Sequence, residues 1–178
     1  MSDTDEGRFN ALHQANATAL LHYFQRRVVV REDAADLLAE TYLVAWRRIR
    51  AVPADDGDAR AWMFGVAHGV LANHRRGIRR RLSLAERIRD EITRQPTAAP
   101  ASPLQGDVDA ALALLSADDR ELLLLTSWDG LSPQQAASVL GIGAGAARTR
   151  LHRARSRLRD SLALTQCRTF LEVVRQNG

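Results

Sequence analysis

Six arginines, Arg148, Arg150, Arg153, Arg155, Arg157 and Arg159, follow one another without an intervening acid. A guanidinium is a planar fork of donors that grips phosphate, or the O6 and N7 of guanine, two bonds at a time, so such a run points to nucleic acid. A second focus lies between Arg75 and Arg94, where eight arginines face only Glu86, Asp90 and Glu91. The stretch 107–147 between them carries six acids and one arginine, which is why the whole 178-residue chain has a formal net charge of only +4. Two separated basic foci suit a protein that neutralises phosphates, and releases their counterions, at two places. All 25 cationic side chains are arginine and none is lysine. With abundant alanine, that bias reads as GC-rich coding, so placement rather than number carries the information.

Other chemistries lack their parts. The single cysteine, Cys167, cannot form an internal disulfide, and no Cys/His spacing resembles a zinc site. His68 and His74 are too far apart to share one helical turn, and no paired carboxylates or activated nucleophile stand at working distances. No metal, no cofactor and no enzymatic activity are therefore expected. No apolar run approaches the roughly 18 residues that a bilayer span needs. The segment Met1–Glu6 is acidic and polar, unlike a secretory signal. These features predict a cytoplasmic protein without membrane insertion.

The elements that must position the arginines are helical throughout. Phe9 to Val30 carries Leu12, Leu20, Leu21, Phe24 and Val28 as the buried side of one long helix or two. Asp33 to Arg50 places Ala34, Leu37, Leu38, Thr41, Tyr42, Ala45 and Ile49 on one stripe, with Asp33, Asp36 and Glu40 opposite. Pro53 to Asp58 reads as a polar loop. A further helix is expected from Ala59 or Arg60, burying Trp62, Val66 and Val70 and running into the arginines after His74. QPTAAPASPLQG at 95–106 holds three of the five prolines and no charge, the composition of a linker.

Beyond it the punctuation is sharper. Ser116 and Asp119 form an S-x-x-D capping box for a helix through Leu122 to Trp128, closed at Gly130. Ser132, Pro133 and Gln135 open a short second helix with an N-cap, a first-turn proline and an S-x-x-Q box, and Gly141 stops it. A third helix follows Gly145 with Ala147, Leu151, Ala154 and Leu158 inward, although Gly143–Gly145 offers it poor capping. A short helix, a glycine turn and an arginine-laden helix make a helix-turn-helix, whose second helix enters the DNA major groove. Arg148, Thr149, His152 and Arg153 near its start are expected at base edges; Arg150, Arg155, Arg157 and Arg159 are expected on phosphates.

Three segments together, DAADLLAETYLVAWRRI at 33–49, RAWMFGVAHGVLANHRR at 60–76 and LSPQQAASVLGIGAGAARTRLHRARSRLR at 131–159, resemble the extracytoplasmic-function (ECF) group of bacterial sigma-70 family factors. The likeness covers residues 9 to about 163. It implies an all-α protein of two small helical domains joined by a flexible linker, the second a helix-turn-helix domain: domain 2 at 8–88, linker at 89–106 and domain 4 at 107–165. Residues 166–178 read as a short tail, an added helix with Phe170, Leu171 and Val174 as its apolar side. The likeness implies that Asp33, Asp36 and Glu40 dock on core RNA polymerase. It implies also that loop 51–60 and the following helix capture the opened −10 promoter strand, with Arg60, Asn73, His74, Arg75, Arg76, Arg79 and Arg80 as candidate contacts. Trp62 and Phe64 are stacking candidates, Trp62 belonging by its spacing to the core. The second domain would read the −35 duplex. An anti-sigma factor is the further partner implied.

Some positions depart from the family's pattern. Ala35 and Ala39 stand where it commonly has a glutamate and a glutamine, Gly69 and Asn73 where it has an asparagine and an aspartate, and Ala144 and Ala146 where a polar residue and a threonine often open the recognition helix. The competing reading is a free-standing helix-turn-helix regulator, which would need to dimerise on a palindrome and would have no use for the acidic helix beyond stability.

Overall fold

The computed structural model describes residues 3–92 and 107–176, with side chains in the helical stretches 4–81 and, apart from 109, 108–163. The proline-rich stretch 95–106 and the apolar residues expected along the tail lie outside that description. The chain divides into two compact units, 1–102 and 103–178.

In the first unit, α1 (Asp3–Gln25) is a single helix. It ends at the Arg26–Arg27 turn, where the Val28 N–H still reaches Phe24 O at 3.0 Å before three valines, stiff at χ1, take over. Helix α2 (Arg31–Arg47) starts two residues before the expected Asp33. Its last turn tightens into a 3₁₀ segment, Ile49–Ala51. Most of the expected stripe is realised: Ala34, Leu37, Thr41, Tyr42, Ala45 and Ile49 are buried, while Leu38 is only half-buried. The buried Thr41 hydroxyl donates to Leu37 O at 2.7 Å, which removes the cost of an unpaired polar group. Burial pushes the Tyr42 phenol up to about 12, and its hydroxyl donates to His13 O.

Helix α3 (Asp56–Ile92) corrects two expectations. It begins three residues early, because Asp55 caps it: the Asp58 N–H donates to Asp55 Oδ1 at 3.0 Å and the Ala59 N–H to Asp55 O at 2.8 Å. Asp56 and Asp58 then sit in the first turn, where the helix dipole favours negative charge. The buried face is also rotated. Met63, Phe64, Ala67, Val70 and Leu71 are buried, while Trp62 and Val66 are only half-buried. The rotation follows from α3 packing on both α1 and α2, which needs a face wide enough for Met63 and Phe64 as well as Val70. Phe64 meets the Tyr23 ring edge-on at 5.5 Å, a contact contributing roughly 0.5–1.5 kcal/mol beyond simple burial.

In the second unit, α4 (Asp107–Ala113), α5 (Ala117–Ser127), α6 (Pro133–Leu140) and α7 (Ala144–Gln176) pack together. Four consecutive residues of α5, Leu122 to Leu125, are buried, so α5 is enclosed around its circumference. The Ser116 cap forms, Oγ accepting from the Asp119 N–H at 3.2 Å, while the Asp119 carboxylate faces Arg157. At α6 both halves of the box are present: the Gln135 N–H donates to Ser132 Oγ at 3.2 Å and the Ser132 N–H to Gln135 Oε1 at 2.9 Å. Gly141 closes α6 with φ 65° and ψ 30°, a left-handed conformation in which a side chain would be strained. The Ile142 N–H then reaches back to Ala137 O at 3.0 Å in a Schellman turn. Ala136, Ala137, Ala147 and Ala154 are buried, and their small side chains let the two helices of the motif approach closely. Helix α7 continues to Gln176, where a separate short tail helix was expected.

Candidate nucleic-acid interface

Helix α7 is anchored by Ala147, Leu151 and Ala154, with Leu158 half-buried, and this fixes where its arginines point. Arg148, Thr149, His152 and Arg153 are exposed. Thr149 turns its hydroxyl back to Gly145 O at 3.2 Å. Arg148, His152, Arg155 and Arg159 are spaced i, i+4, i+7 and i+11, so they form one ridge along the helix. Arg150 and Arg157 lie on the flank towards α5 instead. Arg150 Nη1 is 3.4 Å from Asp118 Oδ2, and Arg157 Nη1 is 3.8 Å from Asp119 Oδ2. Arg120 belongs to the fold, donating through Nε to Leu112 O at 2.8 Å. The opening residues Gly143, Ala144 and Gly145 supply no side-chain oxygen, so the first amides of α7 lack a side-chain cap from that segment.

In the first unit the candidates scatter over several tasks. Arg60 is half-buried, with Nη1 3.4 Å from Asn16 Oδ1 and its guanidinium 5.1 Å from the Phe64 ring centre, so it ties α1 to α3. Phe64 is fully buried and unavailable to stack on a base. Trp62 keeps part of its ring exposed. The Arg76 guanidinium donates to Asn73 Oδ1, the two lying one turn apart. Arg75 donates to Arg27 O at 3.3 Å, and Arg27 stacks its guanidinium 3.8 Å from the Tyr23 ring centre. Arg75, Arg76 and Arg79, with Ala72 and Ile78, line an open hollow of about 460 Å³. Sequence reasoning missed Arg27; the Arg26–Arg27 pair ending α1 was the available signal, but nothing in one dimension brings it beside Arg75.

The acidic helix is also divided. Asp36 and Glu40 are exposed on α2, in line with the exposed Leu43 (56%) and with Arg47. Asp33 is drawn aside: its Oδ2 lies 3.4 Å from His74 Nε2 on α3. Among the described residues no three His, Cys, Asp or Glu side chains gather as metal ligands, and no helix is long and apolar enough to cross a membrane.

Residues 12–81 match the family model for Sigma-70 region 2, and residues 105–158 match that for Sigma-70, region 4. The chain is 33% identical over 157 residues to the ECF RNA polymerase sigma factor SigL of Mycobacterium tuberculosis, covering 85% of this chain and 87% of that protein. The chain belongs to the ECF sigma factors. It is 38% identical over 130 residues to SigC of the same species, covering 71% of this sigma factor and 68% of that one. Among solved structures, the sigma factor RpoE of Bartonella quintana, seen with the anti-sigma factor NepR, is 26% identical with a TM-score of 0.52, covering 88% of this chain and 92% of that one. CnrH, solved with the cytosolic domain of CnrY, shares the fold at a TM-score of 0.61 and 24% identity over 88% of both chains. The two matched regions fall one in each unit of this sigma factor, region 2 spanning α2 and the first arginines of α3, region 4 spanning the helix-turn-helix.

Proposed function

We propose that this sigma factor binds core RNA polymerase in the cytoplasm and gives it promoter specificity without catalysing a reaction itself. The second unit, α4 to α7, serves as domain 4 and presents the exposed side of α7 to the major groove of the −35 element, Arg148 on the ridge and Arg153 off it reading bases and Arg155 and Arg159 holding phosphates. Arg150 and Arg157 follow as phosphate contacts once they leave Asp118 and Asp119. The first unit, α1 to α3, serves as domain 2 and holds the opened −10 strand, with the hollow at Arg75, Arg76 and Arg79 binding backbone phosphates, Arg80 extending it and Asn73 beside it. Arg60 supports that surface from within the helix packing. Asp36 and Glu40 meet a basic surface of the polymerase. An anti-sigma factor would hold the protein inactive, by analogy with the relative solved with NepR.

The observation that carries this reading is the outward arginine ridge on the second helix of a helix-turn-helix whose first helix is capped at both ends, in a chain that also keeps an exposed acidic line on α2. A free-standing regulator needs the first and not the second. Gel filtration with core polymerase is expected to give a stable complex, and its absence would defeat the reading. Asp36→Arg with Glu40→Arg is expected to lower core affinity by more than about 100-fold, since like charges set against each other cost several kcal/mol, while circular dichroism stays unchanged. Run-off transcription over a randomised promoter library would then define both promoter elements.

A further inference from the structure

The ion pair between Asp33 and His74 joins two residues that the sequence assigns to different partners. Asp33 is only about a third exposed at its side chain and His74 a quarter, whereas Asp36 and Glu40 on the same helix are exposed. We propose that Asp33 is not part of the polymerase-docking line but a positioning residue for His74, which it orients towards an unpaired base of the opened strand. The proposal rests on the reading of α3 as the strand-holding helix.

The chemistry follows from the geometry. A carboxylate only accepts hydrogen bonds, so the imidazole nitrogen facing it, Nε2, carries the hydrogen. In the neutral ring Nδ1 is then an acceptor, which pairs, on the major-groove edge of a base, with the exocyclic amino group of adenine or cytosine, where thymine and guanine present only acceptors. Without Asp33 either tautomer is available and the ring can turn, so the preference for adenine or cytosine is lost while the strand is still held by Arg75, Arg76 and Arg79. The neighbouring Asn73 is occupied by Arg76 and does not substitute for His74. One Asp–His pair thus divides the region between residues that hold the strand and a residue that reads it.

The test uses the full-length protein assembled with core polymerase, transcribing a library randomised across the −10 window, together with core binding and thermal melting. Asp33→Asn and His74→Ala are each expected to relax the preference for adenine or cytosine at one shared position by roughly five- to tenfold, the range for losing one base contact, with the double variant no worse than either single one. Core affinity of Asp33→Asn is expected within about twofold of the parent, against a large loss for Glu40→Arg. A drop in core affinity matching Glu40→Arg would return Asp33 to the docking line and overturn the proposal. So would a lowered melting temperature with base preference intact, which marks a purely structural pair. If Arg75→Ala with Arg76→Ala leaves promoter opening untouched, α3 does not hold the strand, and the proposal falls together with that reading, a pattern distinct from failure at Asp33 alone.

Discussion

The two basic helices use arginine in different ways. On α7 the inward positions are mostly small, Ala147 and Ala154 beside Leu151, and the arginines project outward, Arg150 and Arg157 meeting Asp118 and Asp119 on one flank. On α3 the cations are woven into the unit: Arg60 lies against Asn16 and Phe64, Arg75 reaches a carbonyl of α1, and Arg76 holds Asn73. A rigid duplex presents its groove at a fixed shape, and a straight ridge on one helix suffices to meet it. An opened strand has no fixed shape, and a surface assembled from several helices supplies the pocket and track it needs.

The sharpest way to break this comparison is to damage one unit and assay the other. Phe64→Ala removes a fully buried ring shared between α1 and α3 and is expected to cost about 3–5 kcal/mol of first-unit stability. Urea unfolding should show an early transition for that unit while binding to −35 duplex persists; simultaneous loss of both would mean that the two units do not fold independently. Next in size, Arg148→Ala or Arg153→Ala should cost roughly 1–3 kcal/mol at particular base pairs, whereas Arg159→Ala should weaken all sequences alike and flatten the salt dependence. Equal losses on all duplexes for all three variants would erase the division on α7 between base readers and phosphate holders. Ser132→Ala removes the α6 cap and is expected to lower second-unit stability by about 0.5–2 kcal/mol, read as a shift in its melting temperature with no change at the −10 element. The smallest effect is opposite in sign. Asp118→Asn with Asp119→Asn releases Arg150 and Arg157, and non-specific duplex affinity should rise a few-fold with a salt slope steeper by up to about two phosphate contacts.

The second unit was the more legible in sequence because its boundaries are written in short-range chemistry. Ser116, Ser132, Pro133, Gln135 and Gly141 each act on residues within a few positions, and each is found doing so. The first unit depends on tertiary packing. The Asp55 cap was hidden within what reads as a polar loop, and the choice between Trp62 and Met63–Phe64 for the core was set by two neighbouring helices that no periodicity encodes. The same limit applies to the candidate sites. Exposed arginines on α7 could be named from spacing alone, whereas the Asp33–His74 pair and the Arg75–Arg27 contact join residues 41 and 48 positions apart and exist only in three dimensions.

The length of α3 adds an energetic coupling. From Asn73 to Arg81 no residue is buried, so this part of the helix draws little support from the core, and Arg75 with Arg79 and Arg76 with Arg80 set like charges one turn apart. Each such pair opposes helix formation by about 0.2–0.5 kcal/mol until an anion screens it. A phosphate chain laid along this segment would therefore act as the counterion that straightens its own binding site. By reciprocity, whatever stiffens that stretch of helix would raise its affinity for the strand, and heat, which frays it, would weaken both together.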